Sequence, residues 1–222
     1  MNGGEQKKAG LDKLNLGDLQ GRIEEVFMPG GAISQRLEGY EERPGQLLMA
    51  KTVARALWEG RAALIEAGTG TGKSLAYLVP ASYWTSLSRE RVIVSTNTIN
   101  LQEQLINKDV PFLQSVIDTD LQVAVIKGWS NYLCLYRFQT LGQHGQVSLW
   151  TKREEEELAA LAEWLTRCKT GSRSEIDFPL SEETWWEICA ESDVCLRARC
   201  PYIKDCFYFK ERKQAFEADI II

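Results

Sequence analysis

Apolar positions recur at helical spacing between Pro44 and Trp58, where Leu47, Leu48, Ala50, Val53, Ala54 and Leu57 share a face. Pro44 near the start and Gly60 just past the end supply the stop signals of a helix. The run "RAALIEA" (61–67) then reads as a short buried strand, "GTGTG" as a turn, and "KSLAYLVPASYWTSL" as a helix carrying an internal Pro80. "RVIVST" predicts a strand, "INLQEQLINKD" a helix, "PFLQSVI" a further short helix, and "LQVAVIK" another strand. Strands separated by helices imply an α/β fold, a parallel sheet with helices on both faces.

After Cys134 the pattern changes. "TKREEEELAALAEWLTRC" predicts an amphipathic helix with Leu158, Leu161, Ala162 and Leu165 on one face, and "SEETWWEICA" a second, shorter one. Residues 134–206 therefore read as a mainly helical insertion, flanked by 18–133 and by 207–222. "FYFKERKQAFEADIII" predicts a helix followed by an apolar strand that reaches Ile222, so that element is expected to continue in a longer protein. Residues 1–17 are aperiodic and expected to be a flexible leader.

With 44% hydrophobic and 26% charged residues among 222, the chain has enough apolar content for a sizeable core. No apolar run approaches the ~18–20 residues that cross a bilayer, and the first residues lack the apolar stretch of a signal peptide, so a cytoplasmic location is expected. Six cysteines in such a chain point to metal or cluster ligation rather than disulfides. The net charge of -5 argues against indiscriminate coating of nucleic acid, but charge is segregated. Lys152–Asp193 holds 5 basic and 12 acidic residues (net -7), whereas Cys195–Lys213 holds 6 basic and 2 acidic (net +4). Positive charge is concentrated around the cysteines.

The most specific motif is "EAGTGTGKS", residues 66–74, placed between an apolar strand and a helix as a phosphate loop requires. Glycines at 68, 70 and 72 allow backbone N–H groups to turn inward around an anion, and the following helix N-terminus adds partial positive charge. Ala67, Gly68, Thr69, Gly70, Thr71 and Gly72 would form the cradle. Lys73 would reach the β- and γ-phosphates of ATP and Ser74 would hold Mg²⁺, the two catalytic candidates. Upstream, Arg43 and Gln46 of "RPGQ" are nucleotide-binding candidates, because a Gln amide can pair with an adenine edge.

Cys195, Cys200 and Cys206 are spaced too widely for one helix face but suit loops around a bulky centre. A fourth ligand is needed, and Cys134, Cys168, Cys189 and His144 are the candidates. Zinc sites usually contain a short Cys knuckle, which is missing here, so an iron–sulfur cluster fits the spacing better than Zn²⁺. Cys168 and Cys189 lie on predicted helices among apolar neighbours and are expected to pack in a core.

Taken together, "RPGQ", "EAGTGTGKS", "VSTNTINLQEQL", "KGWSNYLCLYRF" and "CLRARCPYIKDCFYFKERKQAFEADIII" resemble the N-terminal part of iron–sulfur superfamily 2 DNA helicases of the XPD/DinG type. The resemblance implies a RecA-like motor domain interrupted by a 4Fe–4S domain, with Cys134, Cys195, Cys200 and Cys206 as ligands. It implies single-stranded or forked DNA as partner, contacted by Thr96 and Thr98 and by Tyr132, Arg137, Arg197, Arg199, Lys204 and Tyr208 through phosphate contacts and base stacking. It also implies a monomer that hydrolyses ATP to translocate along DNA. The family's acidic Mg²⁺ motif and second motor domain do not occur in these residues, so this chain by itself is expected to bind nucleotide weakly, if at all, and to hydrolyse ATP negligibly. Two other classes remain open: a non-enzymatic redox-sensing nucleic-acid-binding module, and a phosphate-loop ATPase with structural zinc.

Overall fold

The computed structural model describes residues 15–141 and 151–222. The expected leader therefore lies outside the described residues except for 15–17, and His144 lies outside them as well. The chain divides into two compact units: one contains the residues up to Val125 and returns with Glu217–Ile222, and the other is Ile126–Phe216.

The first unit opens with a helix the periodicity reading missed, α1 (Leu16–Phe27). Its signal is present in the sequence. Asn15 and Asp18 form a reciprocal capping box, and Leu19, Ile23, Val26 and Phe27 are buried on one face. Helix α2 (Pro44–Glu59) and helix α3 (Lys73–Ser88) follow as expected, α2 with Pro44 in its first turn and Gly60 at its C-terminal cap. The two predicted helices after Thr98 are continuous: α4 (Ile99–Gln104) runs through one π-helical turn (Leu105–Asp109) into α5 (Val110–Val116). Pro111 accounts for the irregular turn, since it lacks an N–H and its ring crowds the carbonyl four residues back.

Three strands form the sheet, β1 (Val92–Ile93), β2 (Val123–Ala124) and β3 (Ile220–Ile221), all parallel in the order β1-β3-β2. The middle strand comes from the last residues of the chain. Val92 pairs with Ile220 on one side and Val123 pairs with Ile220 on the other. Side chains reinforce the closure: Arg91 Nε donates to the Ala218 carbonyl (2.9 Å), the Gln122 amide N–H to Asp219 (2.9 Å), and Gln102 Nε2 to the Ile222 carbonyl (2.9 Å). The expected strand over 61–67 does not pair with any described strand, and Leu64 is fully exposed at 103%. Apolar alternation alone does not make a strand without a ladder partner. The unit's core lies where α1, α2 and α3 meet β3, around Ile23, Ala50, Ala54, Leu78 and Ile220.

The second unit exceeds the expected 134–206 at both ends because of its aromatic packing. Trp129 stacks on Tyr208 (ring centroids 3.7 Å apart), and Tyr132 meets the same Tyr208 edge-on. Its helices are α6 (Leu135–Leu141), α7 (Lys152–Leu165), α8 (Glu182–Ile188) and α9 (Phe207–Glu217). The core of Leu133, Leu161, Trp164, Trp185, Ile188 and Cys189 is small. Gly171 has φ +64 and the ring of Phe207 sits where a Cβ would project, so this turn admits only glycine without displacement. Between Ile188 and Phe207 the only element is one 3₁₀ turn, Arg197–Arg199, in which Arg197 has φ 52. No helix among the described residues is long and apolar enough to cross a membrane.

A buried carboxylate ties α7 to α8. Glu157 accepts hydrogen bonds from Ser181 Oγ (2.6 Å), Thr184 Oγ1 (2.5 Å) and Arg153 Nε (2.9 Å). Burial pushes its pKa up, but these donors outweigh burial and hold it below the ordinary carboxylate value. A depressed folded-state pKa stabilises the fold at neutral pH, and that contribution is lost as pH falls through the folded value. Glu157→Ala is expected to lower unfolding stability by ~1.5–3 kcal/mol near neutral pH, with a smaller deficit at about pH 3. Denaturant melts at both pH values check this, and an equal deficit at the two would contradict it.

Candidate functional site

The phosphate loop of the first unit is built from backbone turned against its own N-terminal neighbours. Gly70 and Gly72 both have positive φ (81 and 79), which bends the loop tightly enough for Thr71 Oγ1 to donate to the Gly68 carbonyl (2.8 Å). Lys73 folds inward, its Nζ donating to the carbonyls of Ala67 (2.9 Å) and Gly68 (2.7 Å). Gly72 caps α3 and no side chain bonds the first turn. The first N–H groups of a 16-residue helix are therefore free of a side-chain cap beside the lysine ammonium, an arrangement that attracts phosphate.

Arg43 and Gln46, expected to bind nucleotide, also brace the loop. Arg43 Nη1 donates to the Gly70 carbonyl (2.9 Å), and Gln46 Nε2 donates to the Gly72 carbonyl (2.9 Å) with the residue only 5% exposed. Their position at the start of α2 explains this, because α2 packs directly on α3 and presents its first turn to the loop. Thr98 caps α4 by accepting from the Leu101 N–H (3.2 Å), and Thr96 Oγ1 donates to the Thr98 carbonyl (3.1 Å). The Thr98 hydroxyl proton is not used by that cap.

In the second unit, Cys134, Cys195, Cys200 and Cys206 line one cavity of about 280 Å³, together with Trp129, Leu135, Ile203 and Phe209. Cys134 and Cys206 each stand immediately before a helix, α6 and α9. The Arg197 N–H donates to Cys195 Sγ (3.4 Å). Burial raises the pKa of the Cys134 and Cys206 thiols above the ordinary value. Among the described residues, no three His, Cys, Asp or Glu side chains are gathered tightly enough to hold a single metal ion.

The other two cysteines pack as expected. Cys189 is buried with its Sγ directed to the Trp186 carbonyl, and Cys168 directs its Sγ to that of Leu165. Three of the residues expected to contact DNA make internal contacts. Tyr132 is 1% exposed, its hydroxyl accepting from the Lys127 N–H (3.0 Å) and its pKa pushed up to about 12 by burial. Tyr208 is 4% exposed beneath Trp129, and Arg137 is spent on internal acceptors. An aromatic or cationic residue near a motif marks a surface only if the core does not need it. Arg197, Arg199 and Lys204 are exposed, as expected.

Residues 46–146 match the DEAD/DEAH box helicase family. This segment is part of a DEAD/DEAH helicase domain. It holds the phosphate loop, Thr96, Thr98 and Cys134, whereas Cys195, Cys200 and Cys206 lie beyond it. The chain is 34% identical over 206 residues to the ATP-dependent DNA helicase YoaA of Haemophilus influenzae, covering 92% of this chain and 31% of that protein. It is 34% identical over 212 residues to the ATP-dependent helicase DinG of Mycobacterium tuberculosis, covering 86% and 31%, and 34% identical over 195 residues to the 3'-5' exonuclease DinG of Bacillus subtilis, covering 86% and 20%. The chain thus spans a third or less of each of these relatives.

Gly72 tests the helicase loop's construction. A Cβ there would lie 2.1 Å from Gln46 Nε2, and φ +79 is costly for any L side chain. Gly72→Ala is expected to destabilise the first unit by more than the ~1–2 kcal/mol of a left-handed residue. Adding Gln46→Ala should return the steric part and leave the backbone part, as read by denaturant unfolding. A double variant no more stable than Gly72→Ala alone would contradict the clash.

Proposed function

We propose that the chain is part of an ATP-dependent DNA helicase in which the first unit belongs to a RecA-like motor and the second is an iron–sulfur insertion. The observation that carries this reading is the phosphate loop. An uncapped helix N-terminus with Lys73 beside it lies within the residues that match the helicase family. Lys73 and the backbone of residues 67–72 would hold the phosphates of ATP, and Ser74 would hold Mg²⁺.

Cys134, Cys195, Cys200 and Cys206 would hold a 4Fe–4S cluster, which supplies a rigid covalent node to the loop between α8 and α9. Support for this comes from the shared cavity and the Arg197 N–H that donates to Cys195 Sγ. The exposed Arg197, Arg199 and Lys204, on the same loop, would neutralise the backbone of single-stranded DNA. Thr98 and Thr96 would add hydroxyl contacts to phosphate. In the whole protein, ATP-driven motion along DNA and strand separation follow from this reading, and the natural partner is single-stranded or forked DNA.

The test uses the whole 222-residue chain. Lys73→Ala is expected to abolish Mg-ATP binding by calorimetry while leaving the fold intact. Replacing Arg197, Arg199 and Lys204 together by Ala is expected to weaken binding of a labelled single-stranded oligonucleotide and to reduce the slope of log affinity against log salt by about 2. An unchanged slope removes these residues from the DNA surface, and ATP binding that survives Lys73→Ala removes the phosphate-loop reading.

A further inference from the structure

Arg137, three residues after Cys134, is the most heavily engaged cation beside the cavity. Its Nη1 donates to the Cys189 carbonyl (2.9 Å) and to the Glu191 carboxylate, and its Nη2 donates to the Trp186 carbonyl (2.8 Å). The Trp186 and Cys189 carbonyls lie at the C-terminal end of α8, where helical carbonyls lack intrahelical partners. Glu191 begins the irregular loop that carries Cys195, Cys200 and Cys206, and both Glu191 and Arg137 line the cavity. The Phe138 N–H donates to the Cys134 carbonyl (2.9 Å), so Arg137 belongs to the helical turn that Cys134 opens. One residue thus shares a helical turn with the first cysteine and bonds the root of the three-cysteine loop through its guanidinium.

We infer that Arg137 is a positioning residue for the four-cysteine centre: it sets the distance between Cys134 and the loop bearing the other three, and it neutralises Glu191 at the cavity wall. This rests on the iron–sulfur reading above. A planar guanidinium suits the task because it serves two carbonyls and a carboxylate at once in a fixed geometry, which an ammonium does not. The two roles are separable. Losing the carbonyl bonds loosens the loop, whereas losing only the charge leaves an uncompensated carboxylate beside four thiolates, which favours the oxidised centre.

The experiment purifies the full chain anaerobically and measures iron and sulfide content, the decay of the visible charge-transfer absorbance in air, and the midpoint potential. Arg137→Ala is expected to lose the absorbance about tenfold or more faster than the unaltered chain, and to have a lower potential. Arg137→Lys should restore part of the potential and little of the lifetime. Glu191→Gln, which keeps both carbonyl bonds, should raise the potential and hold the centre as long as the unaltered chain does. Adding Glu191→Gln to Arg137→Ala should raise the potential again without restoring the lifetime. If the unaltered chain binds iron and Arg137→Ala matches it in lifetime and potential, the positioning role is overturned. If Arg137→Ala does not fold, an unchanged potential in Glu191→Gln overturns the charge role. An unaltered chain that carries neither iron nor sulfide contradicts the iron–sulfur reading itself.

Discussion

The constraint on which the proposed reading of the second unit depends is the placement of four cysteines around one cavity. Its hydrophobic core is small, and the stretch between α8 and α9 contains a single 3₁₀ turn. A loop of that kind has too few backbone bonds and too little buried apolar area to offset its conformational entropy. Small units of this type are usually held by metal, cluster or disulfide staples. Here the sulfurs come from the residues preceding α6 and α9 and from the loop itself, so a centre bound by all four would fasten both helices to the loop.

The first unit is organised by a different closure. Its middle strand is supplied by residues 220–221, which return after the second unit and pair on both sides with strands formed before it. Arg91, Gln102 and Asp219 add side-chain bonds around that strand. Contacts of such long sequence separation carry a high loop-closure cost and form late unless the intervening segment is already compact.

Much of this was legible in the sequence, for reasons that differ by element. The helices at Pro44 and Lys73 carry both periodicity and boundary residues, and the phosphate loop carries its chemistry in its spacing. Helix α1 is equally legible through the capping pair Asn15 and Asp18. The strand at 61–67 was not decidable, because pairing is a non-local property. The same holds for Tyr132, Tyr208 and Arg137. Their residue types are those of a nucleic-acid surface, but their positions make them the packing and hydrogen-bonding interior of the cysteine unit. Gln46 shows the reverse, since a residue expected to face a ligand braces the loop that would bind it.

The most direct measurement of the central claim is the iron and acid-labile sulfide content of the anaerobically purified chain and of six single Cys→Ser variants. The account predicts a cluster in the unaltered chain, its loss or conversion in the variants at 134, 195, 200 and 206, and its retention in those at 168 and 189. Iron retained in all of the first four variants, or lost equally in all six, would contradict it.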